Sequence, residues 1–113
     1  MRYVSTRGGV APIGFAEAVM MGLGTDGGLL VPEQTPRLDT AILRDWSRLR
    51  FQDLALEVMS PYVGEALPRN HLAALIDRSY ASFSHPEVTP VLTLGDQRLL
   101  ELFHGPTAAF KDV

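Results

Sequence analysis

The sequence predicts an α+β fold, mostly helical, with short strands and one hairpin, on three observations. Between Phe51 and Phe83, apolar residues recur at helical spacing in two successive stretches. Toward each end, short apolar runs are punctuated by glycine, around Thr25-Asp26-Gly27-Gly28 and around Gly95-Asp96-Gln97. No repeat or low-complexity tract divides the chain. Its 113 residues are therefore expected to form one compact unit that buries roughly two-thirds of its unfolded surface.

Tyr3-Val4-Ser5 reads as a short strand, ended by Arg7-Gly8-Gly9. From Phe15 the spacing changes: Phe15, Ala18, Val19, Gly22 and Leu23 share one helical face, with Gly22 or Gly24 as the stop. Asp26 followed by two glycines makes a positive φ cheap, so Thr25–Gly28 is a turn. Leu29-Leu30-Val31 follows as a strand closed by Pro32, and Glu33 to Leu38 is a connector. Asp39 is placed to cap a helix through Trp46, with Leu38 and Leu43 as a hydrophobic staple. A longer helix carries the stripe Phe51, Leu54, Ala55, Val58, Met59 and Tyr62, with Pro61 and Gly64 near its end. Pro68 suits the first position of another helix, buried through Leu72, Leu75, Ile76, Tyr80 and Phe83 and closed by His85-Pro86. Val88 to Leu94 and Leu99 to Phe103 then read as two strands joined at Gly95-Asp96-Gln97.

Composition excludes several classes of function. A net charge of −3 offers no basic patch for nucleic acid. Without cysteine there is neither a disulfide nor a thiolate metal site. His71, His85 and His104 lack a second ligand at metal spacing, so no metal is assigned. The start of the chain lacks a secretory apolar region, and no apolar run approaches the ~20 residues that span a bilayer. A cytoplasmic location is expected.

Two stretches stand out chemically. Ser5-Thr6-Arg7-Gly8-Gly9 resembles an anion-binding turn but lacks phosphate-loop spacing, so it reads first as a strand end and second as a ligand contact. The other is the terminal stretch Glu101-Leu102-Phe103-His104-Gly105-Pro106-Thr107-Ala108-Ala109-Phe110-Lys111-Asp112. There Pro106 breaks an apolar run, and Thr107 is placed to cap a short helix whose first turn carries Lys111. The positive end of a helix disfavours an ammonium, and burial beside Phe103 and Phe110 acts the same way. Such a lysine is a candidate nucleophile for a Schiff base. An isolated lysine near a chain end is, against that, most often a solvated surface residue.

Three stretches of the chain resemble threonine synthase, a pyridoxal phosphate (PLP) enzyme family. They are Phe15–Val19 with Gly22-Leu23-Gly24 and Asp26–Pro32, then Phe51-Gln52-Asp53-Leu54-Ala55, then Glu101–Thr107 with Phe110-Lys111-Asp112. Ala108 departs from the pattern, where the family usually carries a larger apolar residue, and so does Arg50, where a serine often caps the next helix. The resemblance implies that Lys111 is the catalytic, Schiff-base lysine and that Phe110 and His104 wall the cofactor. It implies conversion of O-phospho-L-homoserine and water to threonine and phosphate, with PLP as the electron sink.

The resemblance further implies an N-terminal domain over 1–95 and, over 96–113, the start of a fold-type II PLP body that is absent here. The glycine-rich loop for the cofactor phosphate would come later in a longer chain. Val113 therefore reads as a cut, and the chain alone is expected to be inactive. Two alternatives stand beside this reading. One is a related PLP lyase, against which the Asp26-Gly27-Gly28 segment speaks; the other is a non-catalytic domain used for interaction or scaffolding.

Overall fold

A computed structural model describes all residues from Met1 to Val113. The chain begins with β1 (Arg2–Ser5), β2 (Ile13–Gly14) and α1 (Phe15–Met21), followed by β3 (Leu30–Pro32). These three strands make an antiparallel sheet in the order β2-β1-β3, with Tyr3 facing both Ile13 and Pro32. Alternation along β1 turns Tyr3 and Ser5 inward. The two-residue β2 is too short to leave a period in the sequence and is not among the expected strands. Gly22, at φ +71°, ends α1 as expected, donating its N–H back to Ala18 O.

Helices make the second layer: α2 (Thr40–Trp46), α3 (Phe51–Val63) and α4 (Arg69–Tyr80). Asp39 caps α2, its side chain accepting the Ile42 N–H at 2.8 Å. The staple is not formed as a buried contact, because Leu38 and Leu43 remain 43% and 53% exposed. Arg50 precedes α3 without capping it. Its guanidinium instead donates to both Asp53 oxygens, at 2.8 and 2.9 Å, and holds that carboxyl below its ordinary range. The pair is exposed, so solvent screens it and it adds little to stability. Pro68 stands one residue before α4, where its missing N–H costs nothing.

The core lies where α3 packs on α4. Val63, Leu72 and Ile76 are buried together, with Phe15, Ala55, Leu56, Leu67 and Tyr80 around them. Tyr3 joins the sheet to this layer: its hydroxyl donates to Tyr62 O at 2.9 Å, and its ring lies 6.0 Å from Phe15. Burial pushes the Tyr3 phenol up.

Beyond α4 the chain forms a hairpin, in which β4 (Val91–Leu94) and β5 (Gln97–Leu100) pair with Leu92 opposite Leu99. Only Gly95 in the two-residue turn takes a positive φ, the pattern of a type II′ turn. All eight strand residues are exposed. Val88 is not in a strand. It is buried at φ +60°, a conformation that a β-branched residue adopts only when its surroundings impose it.

The expectation of a compact unit is not met. Accessible surface is 8168 Å², against about 6,100 Å² for a compact monomer of this mass. The radius of gyration is 16.4 Å, against about 13 Å for a compact domain of this length. The hairpin, exposed along both strands, contributes to this shape, whereas the terminal loop is tied back to α4 by the Tyr80 hydroxyl donating to Val113 O at 2.9 Å. No helix is long and apolar enough to cross a membrane.

Candidate functional site

The glycine-rich turn after β1 is filled from within the chain. Asp26 points its carboxylate into it, accepting the Ser5 hydroxyl on both oxygens at 2.8 and 2.7 Å. Oδ2 also takes the Gly9 N–H at 2.7 Å and Oδ1 the Gly28 N–H at 2.9 Å. The Arg7 guanidinium reaches over to Asp26 O at 2.9 Å. The anion at Ser5–Gly9 is therefore the protein's own. Sequence reasoning took Asp26 only as a turn former; the signal for its second role was an acid opposite a Ser-x-Arg-Gly-Gly run. The Ser5 hydroxyl and then the Gly28 N–H hold the Asp26 carboxyl below the usual carboxylate range.

His104 is pinned at the entry to the terminal stretch. Its Nε2 lies 2.6 Å from Glu101 Oε2, and Nδ1 lies 3.3 Å from Ser84 Oγ. The Ser84 N–H donates to His104 O at 2.9 Å, fixing the start of the loop to the end of α4. His85 faces the same ring at 5.1 Å between centroids. His71 is exposed on α4. No three potential metal ligands converge.

The terminal loop differs from the expected helix. Only Phe110–Asp112 is helical, as one 3-10 turn, with Ala109 in the capping position. Thr107 does not cap it. The Thr107 hydroxyl donates to Asp112 Oδ1 at 2.6 Å, and the Thr107 N–H donates to Oδ2 at 2.8 Å. A carboxylate is the stronger acceptor, and Ala108 at φ +56° interrupts any helix that would begin at Thr107. Gly105 is required beside this pair, because a Cβ there would lie 2.4 Å from Asp112 Cβ.

Lys111, the sole lysine of the chain, is exposed on this loop. Its Nζ stands 5.9 Å from the centre of the Phe110 ring. The burial expected beside Phe103 and Phe110 is not found, since those rings are 53% and 66% exposed. A three-residue turn also carries too few aligned peptides to act as a helix dipole. What the fold does provide is an accessible amine with no ion-pair partner.

The arrangement of short sheet, helical layer, hairpin and lysine loop is shared with solved enzymes. The chain superposes on PLP-bound threonine synthase from Brucella melitensis with a TM-score of 0.95 and 38% identity, covering all of this chain and 25% of that one. For threonine synthase from yeast the values are 0.91 and 47%, covering 98% and 23%. Among curated sequences, threonine synthase of Schizosaccharomyces pombe is 47% identical over 113 residues. Human threonine synthase-like 2 is 43% identical over 115 aligned positions. The chain spans about a quarter of the length of such relatives, 22% and 24% for these two. Its class is thus that of the N-terminal α+β part of these enzymes. The model of the threonine synthase N terminus matches residues 2–80, and the chain belongs to that family.

Proposed function

We propose that this chain serves as the N-terminal part of a PLP-dependent threonine synthase, which converts O-phospho-L-homoserine and water to L-threonine and phosphate. In this reading residues 1–95 form the N-terminal domain, and 96–113 bring Lys111 to the cofactor. The observation that carries it is the lysine loop. The only lysine of the chain is exposed, unpaired and flanked by an aromatic face. These residues fit the aldehyde end of PLP, with Lys111 Nζ as its attachment point and Phe110 as a wall beside the ring. The cofactor's phosphate is assigned to none of them.

When bound, PLP supplies an electron sink for carbanions next to its imine nitrogen. Lys111 has two tasks in that chemistry. Its amine would hold the cofactor, and a free Nζ would take and return protons at neighbouring substrate carbons. Neither task calls for a partner on Nζ, and none is present. Glu101 and Ser84 orient His104 and thereby hold the entry to the loop. The exposed apolar hairpin also supports the reading. A two-stranded hairpin is marginal alone, so this one suits a longer protein that covers it.

The test is a chimera in which this chain replaces the matching segment of the S. pombe enzyme. It is expected to release phosphate from O-phosphohomoserine and to show the visible absorbance of lysine-bound PLP. Lys111→Ala is expected to abolish both. Turnover that survives Lys111→Ala would overturn the assignment.

A further inference from the structure

Lys111 is next to an acid in sequence, yet that acid is engaged elsewhere. Both oxygens of Asp112 are taken by one residue, Thr107, through its N–H at 2.8 Å and its hydroxyl at 2.6 Å. The clasp spans residues 107 to 112 and encloses the lysine between its ends. Two further features are built around it. Gly105 leaves room for the Asp112 side chain that a Cβ would occupy, and Ala108 is held in the left-handed region, at φ +56°. Backbone of that kind persists where the surroundings over-determine it. The Thr107 hydroxyl keeps the Asp112 carboxyl below its ordinary range, so the clasp is a charge-assisted one near neutral pH.

We propose that Thr107 and Asp112 are positioning residues for Lys111. Their clasp shapes the turn that presents the amine, and it occupies the adjacent carboxylate so that this charge does not settle on the amine. A carboxylate paired with a lysine stabilises the ammonium, and an ammonium is no nucleophile. Asp112 is the nearest acid in sequence to Lys111, and loss of the Thr107 hydroxyl frees its Oδ1. The functional meaning of this device rests on Lys111 being the Schiff-base lysine; the device itself does not.

The experiment uses this chain with no cofactor present. Lys111 is the only lysine, so the rate of labelling by an amine acylating reagent at fixed pH reads it directly. Peptide mass separates that signal from the N-terminal amine. Thr107→Val removes the hydroxyl, the stronger hold on Asp112, and leaves the Thr107 N–H as a single anchor about which the carboxylate can turn. This variant is expected to slow labelling of Lys111 about three-fold, the size of an exposed ion pair's effect. Thr107→Ser keeps the hydroxyl and is expected to label like the parent. Thr107→Val combined with Asp112→Asn removes the freed charge and is expected to restore the parent rate. Unchanged labelling in Thr107→Val would overturn the proposal. So would slowing that persists in the double variant, since the effect would then come from a disturbed turn and not from the carboxylate. Neither result bears on the Schiff-base assignment, which the Lys111→Ala chimera tests separately.

Discussion

Ser5 Oγ donates to both carboxylate oxygens of Asp26, at 2.8 and 2.7 Å, joining residues 21 positions apart. The same carboxylate ties Gly9 and Gly28 together, so one acid closes two turns beside the sheet. Asp26 titrates below its unfolded value, which sets the sign of its pH dependence. Its contribution to stability is fully present above the ordinary carboxylate range and is lost as pH falls from there through the lower folded value. The denaturant midpoint of the parent is therefore expected to fall on acidification from neutral pH toward pH ~3. Asp26→Asn is expected to lower the midpoint at neutral pH and to flatten the acid dependence. Urea titrations of both proteins across that range check it, and equal slopes would remove Asp26 as the cause.

Gly28 is a glycine for space. A Cβ there would stand 2.1 Å from Ser5 Oγ and 3.0 Å from Asp26 Oδ1. Gly28→Ala is expected to push Ser5 off Asp26 and to cost about 1–3 kcal/mol, the usual range for forced overpacking. Chemical denaturation measures it, and a change near zero would mean that the turn shifts without strain. Gly14 gives a control for crowding, because nothing lies within 4 Å of an added Cβ there and its φ of −80° suits any residue.

The two apolar regions are expected to respond in opposite ways to truncation. Ile76 is 4% exposed in the α3–α4 core, whereas Leu99 on the hairpin is 47% exposed. Ile76→Ala is expected to cost about 2–5 kcal/mol. Leu99→Ser is expected to stay within about 0.5 kcal/mol and to improve solubility, because it breaks an exposed apolar strand. Paired denaturation and solubility measurements test the contrast. A large loss for Leu99→Ser would show that the hairpin packs on the body in solution.

Local signals were legible where chemistry and geometry are close in sequence. The Asp39 cap, the Gly22 stop, the Thr25–Gly28 turn and the two long helices each follow from a few neighbouring residues. Val88 was misplaced in a strand because its apolar, β-branched side chain signals burial and extension together, and only burial was realised. Thr107 was misread as a cap because a threonine before a helical pattern carries the same signal whether its hydroxyl meets a backbone N–H or a carboxylate. The residue that decided it, Asp112, was in plain view but was read only as the neighbour of the lysine.

By itself the sequence determined the α+β class, the positions of α1 to α4, the family and the singular lysine, because these rest on local spacing and on short motifs. Tertiary structure decided where the two acids go. Asp26 fills a glycine turn formed by residues 5 to 9, and Asp112 turns away from its neighbour Lys111 onto Thr107. The physical reason is the same in both cases. A carboxylate goes to whichever donors the folded backbone brings within 3 Å, and which donors those are is set by chain geometry that no local pattern encodes.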